Sequence, residues 1–295
     1  MLTDQAFDPR TTPARPELAA LHLKGEVEAA RFVAGTLLEV VAAQAPLRQA
    51  PTPDAPLATE ALKGERVTVY ETNEEGWCWG QLAADGYVGW LPASALREPG
   101  PAPTHRIAAL RSLVFPARSI KVPPIDALSL GCRIAATGQE GNWVTLACGG
   151  YLPLRHVAPA GTHEADFVAV AERFIGVPYL WGGKTSLGID CSGLVQVALA
   201  AAGVACPRDS DMQEQAVGSD ITIAGDLSRL RRGDLLFWNG HVAIARDEDR
   251  IIHANAFHMA VAAEPVAEAV ARIRATGSEI TRVKRLTAPA SSSPG

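Results

Sequence analysis

The chain has 295 residues, of which 47% are hydrophobic and 20% charged; that suits about two globular domains with sizeable cores. A formal net charge of −5 excludes the basic footprint of a nucleic-acid or anionic-membrane binder. The longest apolar runs, such as 195–205, fall well short of the roughly 18 residues that a membrane helix needs.

The first 34 residues read as an arm. They carry the turn formers Asp8-Pro9, Thr12-Pro13 and Arg15-Pro16, then a short helix from Glu17 that must lie against something larger. There are early acidic residues and no apolar core segment, so the arm does not read as a secretory signal, and a cytoplasmic location is expected. From 35 to 98 the pattern is one of short strands: Leu37–Val41, Glu65–Tyr70, Trp77–Leu82 and, after the hairpin signal Asp85-Gly86, Tyr87–Pro92. A weaker copy occupies 104–158, where Trp143–Leu146, Gly150-Tyr151 and Leu152-Pro153 parallel Trp77–Leu82, Gly86-Tyr87 and Leu91-Pro92. Two small related barrels of about 60 residues each are predicted. Proline-rich Glu98–Pro103 links them, and Pro159–Thr162 follows the second.

The third unit, 163–287, begins with an amphipathic helix whose Phe167, Val170, Ala171 and Phe174 share one face. A buried helix follows Cys191 and ends at Gly203. Beyond Asp234 the chain turns β-rich, with strands at 235–238, 241–245 and 250–254 and a closing strand at 280–286. Residues 288–295 form a Pro/Ser tail expected to be disordered. Helices followed by an antiparallel sheet predict an α+β fold.

Five cysteines without an export signal or a CxxC pair argue against disulfides and against zinc, and no cofactor is expected. Gly183-Lys184-Thr185 resembles the end of a phosphate loop, but Pro178 stands where its first glycine is required. Cys191 is set apart by its neighbours. It opens a helix between Asp190 and Ser192, where unpaired N–H groups and the helix dipole favour thiolate and can bring a thiol to roughly 3.5–7.5. His241 and His253 lie on segments joined by the short turn 246–249. As a hairpin they could present one imidazole as base and the other behind it. The competing structural reading is a packed cysteine with Asp190 and Ser192 as helix caps. His156, His163 and His258 receive no role.

The ordered set Tyr179–Gly183, Asp190-Cys191-Ser192-Gly193, Pro207–Ser210, Arg232–Phe237, Gly240–Ile244 and Ile252-His253-Ala254 resembles the NlpC-type cell-wall peptidases, which are papain-like cysteine enzymes. The match covers about 163–286. The resemblance implies Cys191 as nucleophile, His241 as general base, His253 as its orienting group and Tyr179 at the oxyanion. Upstream, the chain resembles the subgroup with two SH3-like domains before the catalytic one. Its members cut short murein peptides with a free N-terminal L-Ala after γ-D-Glu. By the same resemblance, Asp190 and Ser192 would bind the substrate amine, with Tyr87 and Glu60 of the first SH3-like domain closing the pocket. Murein recycling is the implied task. The alternatives are an amidase or acyltransferase on the same Cys–His scaffold, or a non-catalytic peptide-binding protein, which a raised Cys191 pKa would favour. The oligomeric state is not legible.

Overall fold

A computed structural model describes residues 7–222, 227 and 229–286; the tail expected at 288–295 lies outside them. The chain divides into two compact units, Met1–Thr162 and His163–Gly295.

The arm corrects one expectation. Leu18–Ala20 is a strand, antiparallel to Ala14–Arg15 and parallel to Phe32–Val33, and only the single 3-10 turn Leu21–Leu23 is helical. Helix propensity at Glu17–Leu21 loses to tertiary burial. Leu18 is fully buried against Trp79 and Trp90, and the Arg15 guanidinium sits 4.7 Å and 4.9 Å from their rings. Backbone bonds from Val88 N–H to the Arg10 carbonyl and from Gln81 Nε2 to the Thr11 carbonyl anchor the arm further.

The first module is a seven-stranded antiparallel sheet. Its spatial order is Leu96–Arg97, Thr36–Val40, Arg66–Thr72, Trp77–Leu82, Val88–Pro92, Gln44–Arg48 and Leu57–Leu62. Alternation buries Val40, Ala45, Leu47, Val67, Val69, Leu82 and Leu91 in one core. The strands of 105–159 form three small antiparallel sheets around Ile107, Val114, Leu128, Ile134, Leu146 and Leu152.

In the second unit, α1 (Phe167–Glu172) starts at Asp166, whose carboxylate accepts from the N–H groups of Val168 and Ala169. Next come α2 (Cys191–Ala201), α3 (Ser210–Ala216) and α4 (Val266–Ala275). The six-stranded antiparallel sheet runs Ser219–Asp220, Arg282–Arg285, Leu235–Trp238, His241–Ala245, Arg250–Asn255, Ala260–Pro265. Helix α2 is buried almost throughout and packs on the His241–Ala245 and Arg250–Asn255 strands. Helix α4 seats Val266 and Ala269 against Leu236, Ala243, Ala245 and Ile251. No described helix is long and apolar enough to cross a membrane.

Candidate active site

Asp190 caps α2: its Oδ1 accepts from the Gly193 N–H at 2.7 Å. Gly203, at φ +79°, follows the other end of the helix. The N-terminal turn is crowded, since a Cβ on Gly193 would lie 2.4 Å from the Gly183 carbonyl oxygen. A glycine at 193 lets the turn carrying Cys191 press against the Tyr179–Gly183 loop.

Cys191 is buried, at 7% exposure, and the backbone N–H groups of Val242 and Ser192 favour the charged form of its sulfur. Val242 follows His241 on the strand against which α2 packs. The expected anion is not what this environment favours. Burial first, then the negative charge of Asp190, pushes the thiol up to about 12, against a smaller pull from the two N–H groups and Arg208. Desolvation outweighs the helix terminus. A raised pKa alone would suit an inert cysteine, so reactivity here requires a base that removes the proton.

The two histidines expected to serve it end a chain of side-chain hydrogen bonds. His241 Nε2 lies 2.8 Å from His253 Nδ1, and His253 Nε2 lies 2.6 Å from Glu264 Oε1. Arg272 clamps both Glu264 oxygens, Nη1 to Oε2 at 2.7 Å and Nη2 to Oε1 at 2.6 Å. Glu264 is held down at about 2 despite the opposing cost of burial, because His253 and Arg272 bond its charged form. Burial lowers the pKa of His253, itself 1% exposed, and lowers His241 to about 3 with help from the charges of His253 and Arg272. Both imidazoles are therefore neutral at neutral pH.

The sign for stability follows. Below pH 6.5 the unfolded chain binds protons on these histidines that the folded chain refuses, so stability rises with pH across that window. Glu264 adds the same sign, its contribution being lost as pH falls from about 4.5 toward 2. The urea midpoint should fall steadily between pH 7.5 and pH 5, and less steeply in His253→Asn. A wild-type midpoint that is flat or rises on acidification would refute the neutral assignment.

Tyr179 is half-buried, and its hydroxyl is pushed up to about 12 by burial and then by the charges of Cys191 and Asp190, so it stays a neutral donor beside them. Its N–H donates to the carbonyl of Met259 at 2.9 Å. Met259, at φ +50°, is the one non-glycine residue with positive φ among the described residues. Holding it there costs on the order of 1 kcal/mol and aims that carbonyl at Tyr179.

The sequence reading missed Arg208, Gln213, Glu264 and Arg272. Arg208, 1% exposed, bridges Asp190 (Nη1 to Oδ1 2.9 Å, Nη2 to Oδ2 2.7 Å), donates to Ser192 Oγ at 2.9 Å and reaches the Gly183 carbonyl at 3.2 Å. Asp190 Oδ2 also accepts from the Gly182 N–H. Asp190 and Ser192, the expected contacts of a substrate amine, thus already hold one buried cation in Arg208. Gln213, fully buried, donates to the carbonyls of Ser192 and Pro207 and fixes the chain on either side. Tyr87 and Glu60 belong to the first unit, Tyr87 in the core of its first module and Glu60 buried on the Leu57–Leu62 strand. Among the described residues no group of three His, Cys, Asp or Glu is placed to hold a metal.

Residues 176–278 match the model of the NlpC/P60 family, and residues 47–96 match that of the bacterial dipeptidyl-peptidase SH3 domain. The chain carries an NlpC/P60 family domain. It is a peptidase with the papain-like fold of that family, preceded by an SH3-like domain. This NlpC/P60 chain is 29% identical over 248 residues to dipeptidyl-peptidase 6 of Lysinibacillus sphaericus, spanning 73% of this chain and 86% of that protein. It is 25% identical over 233 residues to the gamma-D-glutamyl-L-lysine dipeptidyl-peptidase of Bacillus cereus, spanning 67% of each. Its fold matches the crystal structure of an NlpC/P60 family protein from Bacillus cereus with a TM-score of 0.71 at 21% identity, over 85% of this chain and 99% of that one.

Proposed function

We propose that this NlpC/P60 peptidase hydrolyses the γ-D-Glu–diamino acid bond of short murein peptides with a free N-terminal L-Ala, using Cys191, His241 and His253. The relay ending at His241 carries the reading. An ionised Glu264 accepts a hydrogen bond from His253 Nε2–H, so His253 Nδ1 accepts from His241 Nε2–H, and His241 Nδ1 keeps its lone pair for the thiol. His241 takes the Cys191 proton as sulfur attacks the γ-carbonyl. The Cys191 N–H and the Tyr179 hydroxyl face the oxyanion that forms. Collapse breaks the C–N bond, and His241 protonates the departing amine. Water then attacks the thioester, giving a proton to His241; sulfur leaves and takes that proton back as L-Ala-γ-D-Glu departs.

The substrate class rests on the names of the relatives, which are dipeptidyl-peptidases and gamma-D-glutamyl-L-lysine dipeptidyl-peptidases. Recycling of released wall peptides in the cytoplasm is the setting that suits a peptidase reading a free amine. We also assign 35–98 and 104–158 as two SH3-like barrels. In both, a strand ends in proline (Pro92, φ −61° ψ 128°; Pro153, φ −59° ψ 128°), one 3-10 turn follows, and the next residue is extended (Leu96, −120° and 150°; Val157, −120° and 153°).

The test is product analysis with L-Ala-γ-D-Glu-diaminopimelate, its lysine counterpart and their N-acetylated forms. Release of L-Ala-γ-D-Glu is expected, with N-acetylation lowering kcat/KM by about 10–100-fold through loss of a charged hydrogen bond. Cleavage at another bond, or equal rates on acetylated substrates, would overturn the substrate reading.

A further inference from the structure

We infer that Glu264, held by Arg272, is a positioning residue that selects the protonation tautomer of both histidines and thereby decides which nitrogen of His241 is basic. The inference extends the catalytic reading above to a fourth and fifth side chain.

The geometry comes from three elements. His253 stands on the Arg250–Asn255 strand opposite Ala262, and Ile251 stands opposite Glu264, so Glu264 is the diagonal neighbour of His253 on the same face. Arg272 projects from α4 and spans the carboxylate with two nitrogens. Its guanidinium in turn lies 4.2 Å over the ring of Phe257, which packs edge-on against His258. His258 Nδ1 lies 3.9 Å from Glu264 Oε1, outside hydrogen-bond range, so His253 and Arg272 are the groups that bond the carboxylate.

Both oxygens of Glu264 therefore face donors, and a carboxylate satisfies all of them because it only accepts. Its acceptance fixes the proton of His253 on Nε2. His253 Nδ1 must then accept, which fixes the proton of His241 on Nε2 as well. One carboxylate sets two rings in series. A glutamine at 264 cannot do this, since its NH2 would point at Arg272 or at His253. In the second case His253 turns acceptor at Nε2 and donor at Nδ1, and His241 must move its own proton to Nδ1, the nitrogen needed as base. A wrong tautomer of this kind costs on the order of 10²–10⁴ in kcat.

The experiment is ¹⁵N NMR of the full chain with labelled histidine, comparing wild type, Glu264→Gln and Arg272→Met, together with kcat and KM on the γ-D-Glu peptides. Wild type should carry the proton on Nε2 of both His241 and His253. Glu264→Gln should place part of both proton populations on Nδ1, from molecules whose glutamine NH2 faces His253, and lower kcat in proportion to that part, with KM changed less than about threefold. Arg272→Met, which keeps the carboxylate, should keep the Nε2 tautomers. A merely packing role would leave the ring signals of Glu264→Gln unchanged. Such unchanged signals with wild-type kcat would overturn the inference. So would a wild-type spectrum with the His253 proton on Nδ1, which needs no variant to fold. The tautomer signals need no substrate, so they decide this inference even if the murein peptides prove to be the wrong substrate.

Discussion

Cys191→Ala should lower kcat on the γ-D-Glu peptide to the background rate, a loss on the order of 10⁵–10⁶-fold, while leaving substrate affinity within a few-fold. The magnitude follows from removing a nucleophile from a unit whose other members act only through it. Affinity should survive because Cys191 is 7% exposed and offers little contact area to a ligand. Fold should survive too, since the substitution removes a single buried atom. Steady-state kinetics, with calorimetric titration of the inactive variant, checks both halves. Turnover within tenfold of wild type would remove Cys191 from the chemistry. Turnover lost together with affinity would point instead to a collapsed pocket.

Arg208→Met should destabilise the protein by about 3–5 kcal/mol, the cost of leaving one member of a buried ion pair alone. Arg208 is 1% exposed, and its guanidinium satisfies both oxygens of Asp190, the hydroxyl of Ser192 and the carbonyl of Gly183. Methionine fills the space but offers no donor, so the Asp190 carboxylate is left with the N–H groups of Gly182 and Gly193 and the Ser192 hydroxyl. Adding Asp190→Asn should recover part of the loss, because the stranded charge is then gone. Urea unfolding of the two single variants and the double variant measures this. A loss under about 1 kcal/mol for Arg208→Met would mean that the pair is solvated.

Much of the second unit was legible because its signals are local. Helix α2 announces itself through Asp190 before the apolar run and Gly203 after it, and the 246–249 turn brings the strands of His241 and His253 together. What was not legible depends on register or burial. Glu264 in Ala260–Pro265 reads as an ordinary surface acid until pairing with the Arg250–Asn255 strand sets it diagonal to His253. Arg208 sits in a motif that carries the family resemblance, yet nothing in its neighbours says that it will be enclosed by Asp190 and Ser192. Helix α3 is only seven residues long and lacks a sustained period. The thiol reversed its expected shift for the same reason, since helix position is local whereas desolvation is the sum of everything packed around it. The arm failed on this ground too: Leu18–Ala20 has helical composition, and only the tryptophans Trp79 and Trp90 make it a strand.

The relay also fixes an order in time. Synthesis runs from 191 through 241 and 253 to 264 and finally 272, so the sulfur leaves the ribosome first and the arginine that holds Glu264 in place leaves last. A nascent chain ending before α4 owns a cysteine but lacks the arginine that clamps Glu264. On the proposed mechanism, competence arrives only once Arg272 has been made, and until then the growing polypeptide carries a latent thiol rather than a working one.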